Sequence, residues 1–231
     1  MTTRTLPKGR ITRNAVSSRE SSDWKTKAVC RDPEVKADPE DFFTTAKAGQ
    51  DRARTLCLSC PVVVECLRDQ QAKDEQIYRW GIGGGLDAAQ RRALGVEARL
   101  GQFPDLETAR SLISLRWSHR VRDLMQSCLS LEDMVAELEV DGLNVDTVTV
   151  RVAVWWLGGL GSRMAQLGPP DGRPWLKQLR EDYADVVVEL VGMRIRHADI
   201  AAYLGIPGTW GSKAVSEVYR AALAASKQVA A

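Results

Sequence analysis

The chain has 231 residues, 44% of them hydrophobic and 27% charged, with a formal net charge of +2. This is an ordinary globular balance, with room for one large or two modest domains, and it excludes a fibrous or low-complexity chain. The best apolar run, Val152 to Leu160, is far shorter than the roughly 20 residues of a membrane helix.

The N-terminus carries charge without the apolar stretch of an export signal. The reading is therefore a cytoplasmic protein with no membrane partner, in which thiols stay reduced. Residues 1–22 hold Arg4, Lys8, Arg10, Arg13 and Arg19 against Glu20, are rich in Ser and Thr, and show no apolar period. They read as a disordered basic arm. Residues 23–98 carry four of the five cysteines and a glycine cluster, and read as one small unit. Residues 41–56 suit a helix after an aromatic anchor, weakened by Gly49. Pro61 starts a second helix reaching about residue 73, because proline fits the first helical position. Gly81-Ile82-Gly83-Gly84-Gly85 must turn, and Asp87 caps a short basic helix after it.

Beyond residue 99, helical periodicity runs through 105–140 and 181–227. Residues 143–154 alternate and are β-branched, as in a strand, but their context favours a helix. The expected organisation is a helical subunit at 99–157, a Gly- and Pro-rich linker at 158–180 and a second helical subunit at 181–231. The fold class is mainly α: a small cysteine-bearing helical domain followed by a helical domain with helix-turn-helix-like units.

The cysteines are spaced Cys30-x26-Cys57-x2-Cys60-x5-Cys66. At about 100° per residue, one continuous helix would put Cys57, Cys60 and Cys66 at about 0°, 300° and 180°, unable to share a small centre. Pro61 resolves the conflict. It disfavours helix at Cys60 and opens a new one. Three thiols then converge across a corner, and Cys30 supplies a fourth from an upstream loop. Four thiolates suit a tetrahedral zinc ion or a cubane iron–sulfur cluster. A single CxxC with two isolated cysteines favours the cluster, and a helix N-terminus at Pro61 offers positive dipole to its net negative core. A different use of Cys57 and Cys60 is thiol–disulfide oxidoreductase chemistry, although no thioredoxin-like βαβ pattern surrounds them. A third is a zinc-dependent binding module.

The flanking residues carry a resemblance. Trp24 precedes Ala28-Val29-Cys30-Arg31-Asp32. Asp38-Pro39 leads to Phe42-Phe43. Ala53-Arg54-Thr55-Leu56-Cys57 runs on to Cys60-Pro61-Val62 and Cys66-Leu67, and the glycine turn is followed by Leu86 and Gln90-Arg91-Arg92. Over about residues 23–95 the chain resembles the WhiB-like family of actinobacterial and actinophage transcription regulators. The resemblance implies a [4Fe–4S] cluster on Cys30, Cys57, Cys60 and Cys66, responsive to redox state or nitric oxide, in a non-enzymatic regulator. It implies docking on the C-terminal domain of the primary sigma factor of RNA polymerase through Trp80, Gly81, Ile82, Gly83, Gly84, Gly85 and Leu86. Contacts to double-stranded DNA lie beside that surface, at Arg91 and Arg92. Two departures stand out. Gly83 occupies the position where the family turn typically carries a tryptophan, and Pro33–Ala37 is an insertion between Cys30 and Asp38.

The remaining 130 or so residues have their own pattern. His197-Ala198-Asp199-Ile200-Ala201, then Leu204-Gly205-Ile206, looks like the second helix and turn of a helix-turn-helix, with Gly205 ending the helix in the left-handed conformation. A recognition helix from about Ser212 would turn Ser212, Lys213, Ser216 and Arg220 outward to double-stranded DNA. A weaker copy spans 131–157. Gly172-Arg173-Pro174 resembles the core of an AT-hook but reads better as a turn. Trp155 and Trp156 read as core, Cys128 as buried filler, and His119 and His197 as isolated.

Overall fold

The structure, a computed structural model, describes residues 23–74, 80–127, 129–159, 175–206 and 210–229. It is mainly α, as the sequence implies, and among the described residues there are eleven α-helices and no β-strand. The basic arm and most of the 158–180 segment lie outside those residues, as do Cys128 and Gly172-Arg173-Pro174.

Three short 3-10 turns, Asp23–Lys27, Val29–Arg31 and Pro39–Phe42, lead into helix α1, Lys47–Ser59. The helix expected from residue 41 starts later for a local reason. Asp38 accepts the Glu40 N–H at 2.9 Å, Thr44 accepts the Ala46 N–H at 3.1 Å, and the chain turns twice before it can wind. Cys60 is extended, with φ −74° and ψ 125°, as the residue before a proline should be. Helix α2, Val63–Asp74, follows the Pro61 corner. Helix α3, Ala88–Arg99, opens with a capping box: the Asp87 carboxylate accepts the Gln90 N–H and the Gln90 side chain accepts the Asp87 N–H, each at 2.9 Å.

Four helices then form one layer: α4 Leu106–Leu112, α5 Leu115–Gln126, α6 Leu131–Val140 and α7 Thr147–Trp156. The β-branched stretch is therefore helical. Asp146 starts it, accepting the Thr149 N–H at 2.7 Å and its hydroxyl at 2.9 Å. Helix α7 is buried at every residue from Val148 to Trp156, Thr149 and Arg151 included, as befits a mostly apolar helix with no exposed polar face. Val148, Val152, Trp155 and Trp156 pack with Cys60, Leu67, Leu86 and Leu94 of the cysteine-bearing part. Val150, Ala153 and Val154 pack the other way, on Leu124, Leu131, Met134 and Leu138.

The last layer is α8 Trp175–Asp182, α9 Ala184–Gly192, α10 His197–Leu204 and α11 Gly211–Val229. Gly205 ends α10 at φ +73°, the left-handed conformation the sequence calls for. Val96 of α3 belongs to the core of this layer, beside Ile200, Leu204 and Val215. A buried ion pair ties all three parts together. Arg151 of α7 and Glu97 of α3 are both fully buried and bonded to each other. The Arg151 guanidinium lies 5.8 Å from the Trp155 ring centre and 5.4 Å from that of Tyr203 in α10.

Candidate functional site

Cys30 sits on the exposed 3-10 turn, Cys57 near the end of α1, Cys60 buried at the corner and Cys66 in the first turn of α2. All four are free thiols. Together with Ala28, Leu56, Val63 and Gly84 they line one cavity that opens to solvent. The set matches the four cysteines singled out by spacing. Among the described residues, no group of three or more His, Cys, Asp or Glu is arranged to hold a metal ion on its own; the thiols stand around a shared space instead.

The cavity wall penalises bare thiolates. Burial pushes the Cys57 thiol up to about 12. Burial likewise raises Cys66 and Cys30, and the neighbouring sulfurs add repulsion in each case. Two backbone groups oppose this: the Gly85 amide lowers the Cys57 thiol and the Gly84 amide lowers that of Cys66. An electropositive centre among the four is what would let all of them ionise together.

The glycine turn is tightly built. A Cβ on Gly84 would lie 2.5 Å from the Leu67 Cα, and one on Gly85 would lie 2.8 Å from the Trp156 indole, with both residues at positive φ. The Trp156 Nε1–H donates to the Gly84 carbonyl at 2.8 Å. From the other side Arg91, only 2% exposed, donates to the carbonyls of Trp80 at 3.1 Å, Gly81 at 3.0 Å and Leu86 at 2.7 Å.

These contacts bear on three expectations. The Arg91 guanidinium is turned inward, onto the turn's carbonyls. Ile82, Gly83, Gly84, Gly85 and Leu86 are buried within the turn. Arg92 is half-buried, its Nε 4.0 Å from the Asp199 carboxylate where α3 meets α10. The exposed surface beside the turn is aromatic. Trp80 is 74% exposed and Phe43 69%. Gly81 joins them: the Phe43 ring lies 2.9 Å from where its Cβ would be, and the Ile82 N–H donates to the Phe42 carbonyl at 2.7 Å.

On α11, Ser212, Lys213 and Arg220 are exposed and Ser216 half-exposed, forming one outer face. Lys213 Nζ stacks over the exposed Trp210, 5.2 Å from its ring centre. Glu217, the acid nearest that face, is bonded to Arg180 of α8. The weaker copy, α6–α7, forms its helices and turn, but a helix buried throughout presents nothing to a groove. Trp155 and Trp156 are core, as read. His119 is exposed, and His197 lies beside Tyr219, ring centres 6.3 Å apart.

Sequence reasoning missed the hold that the later helices have on the site. Besides Trp156, Arg110 of α4 donates to the Leu58 carbonyl at 2.7 Å, one residue past Cys57. The tryptophan pair was legible as buried. Its partner, 72 positions away, had no local signal.

All four cysteines fall within a family match. The family model described as Transcription factor WhiB matches residues 24–94. The chain is 39% identical over 75 residues to Transcriptional regulator WhiB of Streptomyces coelicolor, covering 32% of this chain and 78% of the relative. It is 38% identical over 77 residues to WhiB1 of Mycobacterium tuberculosis, covering 31% and 83%. Against WhiB4 of the same species it is 38% identical over 80 residues, covering 35% and 61%. The chain belongs to the WhiB family of transcription factors. The family match ends at residue 94, so α4 to α11 lie beyond it. No solved structure matches.

Proposed function

We propose that this WhiB-family regulator carries a [4Fe–4S] cluster on Cys30, Cys57, Cys60 and Cys66, docks on the C-terminal domain of the primary sigma factor, and contacts promoter DNA in the cytoplasm. The observation that carries the reading is the single cavity lined by all four thiols, with two backbone amides that lower the Cys57 and Cys66 thiols. A space shared by four cysteines suits a multi-iron core better than one zinc ion, whose ligands close on a point. When bound, such a cluster supplies a redox- and nitric-oxide-sensitive centre. The chain's own part is to supply four thiolates, shield three of them, and leave the Cys30 edge open.

For sigma docking the reading rests on Trp80 and Gly81 with Phe43, two exposed aromatics flanking a turn whose carbonyls accept from Arg91. For DNA it rests on Ser212, Lys213, Ser216 and Arg220, with Arg92 as a flanking charge. A thioredoxin-like oxidoreductase gains no support from a fold without a sheet among its described residues. Among those residues no helix is long and apolar enough to cross a membrane.

The test is anaerobic purification of the full chain with iron, sulfide and zinc analysis and a visible spectrum. About four irons per chain, lost in Cys57→Ala, are expected. A colourless protein with one zinc overturns the reading. Trp80→Ala should then abolish co-purification of the sigma domain without releasing iron.

A further inference from the structure

The glycine turn is held from two directions that belong to different parts of the chain. Arg91, within the family match, fastens its two ends. Its middle is fastened by Trp156, which lies beyond residue 94 and is delivered by α7. The indole lies so close to Gly85 that a Cβ there would be 2.8 Å from it, and its N–H donates to the carbonyl of Gly84 at 2.8 Å. Gly84 lines the cysteine cavity and a Cβ on Gly85 would lie 3.6 Å from that of Cys57, and the backbone amides of these two residues lower the Cys66 and Cys57 thiols.

We propose that Trp156 is a positioning residue for the cysteine site: its indole fixes the Gly84–Gly85 backbone so that both N–H groups face sulfur. The appended helices thereby tune a centre they do not ligate. The inference rests on the cluster reading above. Hydrogen bonds to thiolate withdraw charge, favour the more negative reduced core and so raise its potential, while fixed outer contacts slow loss of the metal centre. Helix α7 is held in turn by its buried Arg151–Glu97 pair, so a shift of α4 to α11 against the cysteine unit would reach the site through this indole as well as through Arg110.

The experiment compares full-length wild type, Trp156→Phe and Trp155→Phe, purified anaerobically and matched for iron. Trp156→Phe should lose its cluster to a chelator about 10-fold faster, in the range found for outer-contact mutations. Its midpoint potential should move negative, and its visible circular dichroism should change. Trp155→Phe, equally buried but without the bond to the turn, should leave all three near wild type. If Trp156→Phe folds poorly, benzothienylalanine at position 156 keeps the shape and lacks only the N–H donor, and it should shift the potential in the same direction. Equal loss rates and potentials for wild type and both position-156 variants overturn the proposal while the cluster reading stands. Absence of iron from wild type overturns the cluster reading, and this inference with it.

Discussion

Helices α6–α7 and α10–α11 share a pattern: a short helix, a glycine-bearing turn and a second helix. They come to opposite ends. In α6–α7 the second helix, TVTVRVAVWW, has no polar face, and it became the central element of two cores. Its partner α6 exposes Glu132, Asp133, Glu137 and Glu139, a surface that repels phosphate. In α10–α11 the second helix keeps an outer face of Ser212, Lys213, Ser216 and Arg220, and its nearest acid is neutralised by Arg180. The turn pattern specifies how two helices meet. Which of them stays outside is decided by the composition of the second helix.

The largest way to break the comparison is to strike the pair that allows α7 to be buried. Glu97→Ala leaves Arg151 charged in the core and should cost about 3–5 kcal/mol in urea unfolding. The double variant Glu97→Leu, Arg151→Met should recover most of it, since matched apolar replacement of a buried pair is often neutral. A double variant as unstable as Glu97→Ala would mean that the pair does more than neutralise itself.

On α11 the expected effect is on affinity, with stability unchanged to within about 0.5 kcal/mol. Lys213→Ala and Arg220→Ala should each weaken binding to a random-sequence duplex severalfold. Each should lower the salt slope by about one. Glu139→Gln on α6 should leave duplex binding undiminished. Equal losses from the two units would reverse the comparison.

A smaller effect is expected at the α7 cap. Asp146→Ala removes the bonds to Thr149 and should cost about 1 kcal/mol, with no change in duplex affinity. The smallest is acid sensitivity of the α4–α7 layer. Asp105, the cap of α4, is held below its usual 3.8 chiefly by the Thr108 hydroxyl, with help from backbone N–H groups. A depressed carboxylate contributes its full stability above about pH 4 and loses it as pH falls through the lowered value. Asp105→Asn should flatten the acid limb of a stability–pH curve and leave its neutral plateau changed only by the cost of the cap.

Much of this was legible locally. Pro61 after Cys60 predicted the corner that gathers the thiols, Asp87 with Gln90 predicted the start of α3, and Gly205 predicted the end of α10. Each is a short-range rule about backbone dihedrals or unpaired N–H groups, and the chain obeys it. The misjudged features were long-range. Arg91 sits in a basic helix and reads as a surface cation. Only the fold shows three carbonyls of the preceding turn converging on it. The glycines read as a turn, and nothing local says that an indole from 72 positions away roofs them. Apolar periodicity identifies a buried face and is silent about which partner buries it.

The shared core around Cys60, Leu67 and Leu94 has a practical consequence for anyone cutting this gene. Leu106, Ala109, Val148, Val152, Trp155 and Trp156 complete that core from beyond the family boundary. A fragment ending at residue 98 would carry all four cysteines and every family motif, yet it would be a half-shell with its inner wall turned to water. It should aggregate or load iron poorly. In this chain the portable module and the foldable module are different lengths.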